Sequence, residues 1–232
     1  MVDIVWLGHG SFELKLPSGE VILIDPWVKG NPKYPAAHRI DRVDAILITH
    51  GHFDHTADLI ELAKKFNAPV VAIHEIAEWL GGKGVTTARG MNKGGTQQVG
   101  SVAVTMTHAI HSSSFSENGQ IVYAGEATGY VLTFADGRAA YFAGDTTVFG
   151  DMALIAELYR PELAFLPIGD HYTMGPREAA LACRLVKPKT VFPMHWGTFP
   201  ALTGTPAKLA ELVKDEPGIT VLKVDPGQPV KW

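Results

Sequence analysis

The stretch Thr49-His50-Gly51-His52-Phe53-Asp54-His55 follows directly on the apolar run Ala45-Ile46-Leu47-Ile48. Bounded by Asp44 and Gly51, that run reads as a buried strand, so the polar stretch occupies the loop at its C-terminal end. Four metal-ligating side chains, His50, His52, Asp54 and His55, fall within six residues. His50 and His52 are two apart and can turn both imidazoles onto one cation. Asp54 and His55 reach the same point only through a tight turn. The spacing therefore points to two neighbouring cations, one per pair, as in hydrolases that hold two metals roughly 3.5–4 Å apart. A lone His would be read as a surface or core residue, but four ligands at a strand end are not explained that way.

Outward from this loop the chain alternates short strands with helices. Ile4–Leu7 and Phe12–Leu16 read as strands around Gly8-His9-Gly10-Ser11, and Val21–Ile24 as a third strand ending at Asp25-Pro26-Trp27. Residues 28–42 form an aperiodic loop expected to contact substrate. Ala57–Phe66 has helical spacing, with Leu59, Leu62, Ala63 and Phe66 on one face. A strand at Val70–Ile73, a short helix at His74–Leu80, Val85–Ala88 and a pair near Gln97–Val99 and Val102–Thr107 lead to a second polar loop, His108-Ala109-Ile110-His111-Ser112-Ser113-Ser114. The remainder reads as strands at Gln120–Ala124, Gly129–Phe134, Ala139–Ala143, Leu163–Ile168, Thr190–Pro193 and Ile219–Val224, with helices near Asp151–Tyr159, Glu178–Val186 and Pro206–Lys214.

The two halves echo one another. The turn glycines Gly19 and Gly137 lie 118 residues apart, as do Asp44-Ala45-Ile46-Leu47-Ile48 and Glu162-Leu163-Ala164-Phe165-Leu166. The same offset pairs Gly51 with Gly169 and His52 with Asp170. This spacing suggests an internal duplication, each half offering one sheet and its helices, with the active site expected at the shared edge.

Composition narrows the function. With 46% apolar and 19% charged residues, 232 residues suffice for one large α+β domain spanning 1–232. The net charge of −4 argues for neither a nucleic-acid surface nor an anionic membrane as partner. No apolar stretch reaches the roughly 18 residues of a membrane helix. A single cysteine, Cys183, excludes an internal disulfide, and the start Met1-Val2-Asp3-Ile4-Val5-Trp6-Leu7 reads as a strand rather than a signal peptide, so a cytoplasmic enzyme is expected. Cys183 lies in Ala179-Ala180-Leu181-Ala182-Cys183-Arg184-Leu185 and reads as a core residue.

The run H-x-H-x-D-H resembles the signature of the metallo-β-lactamase superfamily, whose fold is a four-layer αββα sandwich of two pseudo-repeated halves. Gly144-Asp145-Thr146, Leu166-Pro167-Ile168-Gly169, Tyr172-Thr173-Met174-Gly175-Pro176 and Pro193-Met194-His195-Trp196-Gly197-Thr198-Phe199-Pro200 are similar to its small prokaryotic metal-dependent hydrolase branch, related to ascorbate-phosphate lactonases and more distantly to N-acyl-phosphatidylethanolamine phospholipases. That branch commonly has Gly where this chain has Asp170. The resemblance implies two divalent metal ions, zinc foremost with manganese, nickel or iron as alternatives. It implies His50, His52 and either His108 or His111 on one metal, His111 being favoured by its place in the Ser-rich loop. Asp54, His55 and His195 fall to the other, with Asp145 bridging. A shared hydroxide would attack a small ester, lactone or phosphodiester, with Asp54 orienting it and His9 or His171 steadying the oxyanion. Asp25 is expected to accept from a ligand imidazole, and Trp27 and Trp196 to line the site. A small-molecule substrate is the expected partner, self-association being left open. A nuclease, a non-catalytic metal-binding sensor or scaffold, and a di-iron redox protein are the competing readings.

Overall fold

The computed structural model describes residues 1–232, and its contacts gather into two compact units: Met1–Gly95 with Ser112–Ala127 and Val224–Trp232, and Thr96–His111 with Thr128–Lys223. In chain order the first unit opens with β1 (Asp3–Trp6), β2 (Phe12–Lys15), β3 (Val21–Ile24), β4 (Ala45–Leu47), α1 (Phe53–Thr56), α2 (Leu59–Phe66), β5 (Val70–Ile73), α3 (His74–Gly82) and β6 (Ala88–Met91). The second contributes β7 (Thr96–Val99) and β8 (Val102–His108) before the chain returns to the first for the hairpin β9 (Ser114–Glu117) and β10 (Gln120–Tyr123). The second unit then continues with β11 (Thr128–Thr133), β12 (Ala139–Phe142), α4 (Met152–Tyr159), β13 (Leu163–Pro167), α5 (Pro176–Val186), β14 (Thr190–Met194), α6 (Pro206–Leu212) and β15 (Thr220–Val221). β16 (Pro229–Lys231) closes the chain in the first.

Each unit holds one seven-stranded mixed sheet, ordered β16-β1-β2-β3-β4-β5-β6 in the first and β15-β14-β13-β12-β11-β8-β7 in the second. Burial follows pairing. β1 alternates between buried and partly exposed residues along an antiparallel ladder, whereas the parallel strands β3, β4 and β5 are buried throughout. Alternation suits a strand with one covered face; a continuous Val/Ile/Leu run suits one covered on both. In α2, Leu59, Leu62 and Ala63 are buried and Asn67 ends the helix in the left-handed region, φ 49°.

The 118-residue echo is exact in strand register. Phe12 pairs Ile24 and Ile22 pairs Ala45 in the first unit; Tyr130 pairs Phe142 and Ala140 pairs Leu163 in the second. Turn bonds repeat as well: Gly19 N–H donates to Leu16 O and Gly137 N–H to Phe134 O. Both glycines hold positive φ, 90° and 84°, as that turn requires. Three successive strands in the same register in both sheets are better explained by duplication than by matching turn punctuation.

Several elements differ from the sequence reading. The helix expected over 57–66 is found as α2 but starts at Leu59, and a separate turn of helix, α1, precedes it at Phe53–Thr56; the Asp58 carboxylate before α2 accepts from Val28 N–H and Lys29 N–H rather than capping the helix. The strand expected at Val85–Ala88 starts at Ala88: Val85 N–H donates to Leu80 O and closes the end of α3. Ser114, read as the end of the polar loop, instead starts β9, half of a hairpin turning at Asn118-Gly119, both at positive φ. That dipeptide is a strong hairpin signal. The hairpin docks on α3 through the Phe115 ring stacked 3.7 Å from Trp79, whose Nε1–H donates to Glu117.

In the second unit α5 packs Ala179, Ala182, Cys183 and Val186 against a core with Tyr141, Leu166 and Met152. Burial pushes the Cys183 thiol up to about 12. Since the thiolate is the reactive form, iodoacetamide at pH 8 should leave the native chain unlabelled and modify Cys183 only in denaturant, by mass spectrometry. No helix is long and apolar enough to cross a membrane.

Candidate metal centre

In the first unit the ligand loop is held from behind by one carboxylate. Asp25 is fully buried at φ 47°; Thr49 donates to it twice, from N–H (2.8 Å) and from the hydroxyl (2.6 Å), and His55 Nδ1 lies 2.8 Å from Oδ2. With its only proton given to Asp25, the Thr49 oxygen accepts from His50 Nδ1 at 3.0 Å. Both imidazoles thus carry their proton on Nδ1 and present Nε2 as a lone pair, the form a metal needs. His50 Nε2 stands 3.0 Å from His52 Nδ1, and the His50 and His55 ring centres are 4.2 Å apart. Asp25, His50 and His55 offer ligand atoms within 4.8 Å of one another. The Asp25 oxygens are engaged by Thr49 and His55, so Asp25 accepts from an imidazole of the candidate ligand loop. Burial holds its carboxyl above the usual range while His55 pulls the other way.

Asp54 is the next member. His9 Nε2 lies 2.8 Å from Asp54 Oδ2, and His55 Nε2 lies 3.9 Å from the same oxygen. His9 is fully buried at φ 56°, its carbonyl accepting from Trp6 Nε1 and its ring edge-on to Trp27. A Cβ on Gly10 would come within 2.7 Å of His55 Cε1, so only glycine lets the backbone close over that ring. Ser113 ties the loop from the hairpin, accepting from Gly51 N–H and donating to Ala124 O, while Ser112 Oγ is 3.4 Å from His52 Nε2.

In the second unit Asp145, on the loop after β12, has Oδ2 3.0 Å from His195 Nε2 and 3.7 Å from His111 Nε2. Asp145 and His195 are almost wholly buried. The strand before each explains the placement: β12 and β14 are buried parallel strands, and their C-terminal ends are where such sheets present functional loops. A Cβ on Gly169 would lie 2.0 Å from the His195 carbonyl oxygen, so glycine alone admits the left-handed turn at His195, φ 55°. His111 is held by its neighbour: Ile110 N–H donates to Thr146 Oγ1 and Ile110 O accepts from Thr147 N–H. His108 instead ends β8, exposed, with its ring edge on Phe149. His171 is exposed at φ 61° with its ring edge-on to Tyr172.

Backbone strain concentrates in these loops. Of nine non-glycine residues with positive φ, five are His9, Asp25, Asp170, His171 and His195; the others are the helix ends Asn67, Arg160 and Lys187 and the turn residue Asn118. Strain of this kind survives where surrounding structure imposes it, commonly at functional sites. Thr49 is the functional residue the sequence reading missed; its only signal was a hydroxyl directly ahead of His50. The donor set fits the implied metals, since imidazole and carboxylate together suit zinc, manganese or iron and the buried acids and imidazoles already face one another within each unit.

Residues 20–196 match the model of the β-lactamase superfamily domain. The chain is 58% identical over 233 residues to a UPF0173 metal-dependent hydrolase of Solibacter usitatus, covering 100% of both chains. It is 55% identical over 214 residues, 92% of each, to a UPF0173 metal-dependent hydrolase of Koribacter versatilis. Among solved structures, the metallo hydrolase Igni18 of the archaeon Ignicoccus hospitalis superposes with a TM-score of 0.86 at 35% identity, over 99% of this chain and 97% of that one. The expected α+β metallo-β-lactamase fold class is thereby met. With its family signature at His50–His55, and matched over the whole of its length to the Solibacter relative, this chain belongs to the UPF0173 metal-dependent hydrolases of the metallo-β-lactamase superfamily.

Proposed function

We propose that residues 1–232 form one dinuclear hydrolase domain acting on a small ester, lactone or phosphodiester. His50, His52 and His111 would hold one ion, Asp54, His55 and His195 the other, and Asp145 would serve both. The observation that carries this reading is Asp145 Oδ2 lying between the His195 and His111 imidazoles, at 3.0 and 3.7 Å. A nearly buried carboxylate facing two ring nitrogens is an arrangement that a pair of cations would complete. Two such ions, zinc foremost, would lower the pKa of a water from 15.7 towards about 7 and polarise the scissile oxygen.

The chain's own groups divide the remaining work. Asp54 orients the attacking water and receives its proton. His9 takes a task other than steadying an oxyanion: fully buried, with Nε2 on Asp54, it fixes the direction of that carboxylate. His171, on an exposed loop, is left as the donor to a developing oxyanion. A lone, buried cysteine suits a reducing cytoplasm.

Plasma mass spectrometry of the purified protein should find two equivalents of metal per chain. p-Nitrophenyl butyrate, a γ-lactone or bis(p-nitrophenyl) phosphate should be hydrolysed, with loss on chelation and recovery on adding zinc or manganese. One equivalent per chain would overturn the dinuclear centre. A fully loaded protein inert towards all three substrates would overturn the substrate class.

A further inference from the structure

We infer that the substrate carries an apolar acyl or aryl group, seated on an aromatic shelf made by Phe53 over Trp27. The inference rests on the hydrolase reading above and narrows its substrate. Phe53 stands between His52 and Asp54 in the ligand loop, yet its side chain is 63% exposed. It occupies the first position of α1, where helix physics favours a small, acidic or proline residue and gains nothing from an exposed ring. Its ring is not loose. It sits edge-on to Trp27, with centroids 5.6 Å apart; Trp27 is buried with Nε1–H on Lys29 O. Trp27 in turn packs edge-on to His9, which bonds Asp54, so the exposed ring rests on the support of the candidate catalytic carboxylate.

The pattern recurs independently in the second unit. Ile110, 46% exposed, directly precedes His111, and its backbone is bonded to Thr146 and Thr147 beside Asp145. Tyr172, 59% exposed, directly follows His171. Three of the ten large apolar side chains left exposed thus adjoin candidate site residues. The loops 8–11, 25–28, 49–56, 108–114, 144–150, 169–175 and 195–200 contain no Lys or Arg; in the 28–42 loop, Lys29 is paired with Glu61, Arg42 with Asp44 and Arg39 with backbone carbonyls, and Lys33 lies beside Gly8. A substrate with a charged phosphate or carboxylate away from the reacting centre would call for such a partner. An apolar one calls for exposed rings and alkyl groups.

The test is chain-length selectivity. For the wild type, kcat/KM on p-nitrophenyl octanoate should exceed that on the acetate by about tenfold or more, several methylenes each adding a share of the discrimination. Phe53→Ala should remove most of that ratio through KM with kcat retained, because such contacts hold ground and transition states alike. Phe53→Leu should restore part of it, Ile110→Ala should lower it less, and Leu158→Ala, an exposed apolar change on α4, should leave it alone. Calorimetry of zinc-loaded protein with octanohydroxamate and acetohydroxamate measures the same preference without turnover. Ester hydrolysis with a ratio indifferent to Phe53→Ala, or no chain-length preference in either assay, overturns the shelf and spares the hydrolase. A Phe53-dependent hydroxamate preference in a protein that hydrolyses nothing upholds the shelf and overturns the hydrolase reading.

Discussion

Asp145→Ala is expected to yield a folded protein that retains about one equivalent of metal or less and whose hydrolysis falls by more than the 10–100-fold that losing an outer hydrogen-bond partner of a ligand costs. The physical reason is charge. Asp145 Oδ2 lies within 3.0 Å of His195 and 3.7 Å of His111, and its side chain is nearly inaccessible. Without that carboxylate, two cations held largely by neutral imidazoles would repel one another across a short gap in a medium of low dielectric constant. The fold should tolerate the change better than the chemistry does. In the metal-free chain the change removes a desolvated charge but also takes the partner from His195, so the thermal unfolding midpoint of the stripped protein should drop, though by less than where three donors are stranded, while metal content and turnover collapse. Unchanged stoichiometry and turnover in Asp145→Ala would end the bridging assignment.

Asp25 should behave in the opposite sense, with stability hit first. Its carboxylate receives two hydrogen bonds from Thr49 and one from His55, all inside the protein. Asp25→Ala strands those donors and places alanine at φ 47°, and breaking a buried polar pair from one side costs roughly 3–5 kcal/mol. Urea titration of the metal-free chain should show that loss as a lower midpoint. Asp25→Asn separates the roles. Asparagine tolerates the left-handed backbone and still accepts from Thr49 N–H. Its amide cannot replace both carboxylate oxygens, so His55 loses the partner that keeps its proton on Nδ1. Metal affinity should then drop about 10–100-fold with a smaller change in midpoint. Equal affinity in Asp25→Asn and wild type would show that the tautomer is set elsewhere.

Much of this was legible in the residues. A buried apolar run ending in H-x-H-x-D-H places ligands at a strand end, because a parallel strand has to be continuously apolar and its loop is where the backbone can turn. The repeat at 118 residues was visible for a similar reason: turn glycines and buried strands are dictated locally, so a duplicated register survives in the chain as a duplicated spacing. Asp25 was readable as a strand-end carboxylate and candidate acceptor for an imidazole; that β3 lies beside β4 and brings it to His55 is set by the fold. The hairpin at Asn118-Gly119 was readable too, and was obscured by the serine run before it.

Other features have no local signature. His9 and His171 are both histidines beside glycines on loops, and from sequence they were interchangeable candidates for steadying an oxyanion. Only the folded chain buries His9 against Asp54 and leaves His171 exposed beside Tyr172. His108 and His111 are three residues apart; what separates them is that β8 runs on to His108 while the backbone at Ile110 is bonded to Thr146 and Thr147. Thr49 acquires its task from the single proton of a hydroxyl placed between a carboxylate and an imidazole. Which residue types could bind metal, and that strand ends would carry them, follow from the sequence alone because strand burial and ligand chemistry are local properties. Which nitrogen carries a proton, and which histidine faces a buried carboxylate, depend on partners tens of residues away, and only tertiary packing brings those within hydrogen-bonding distance.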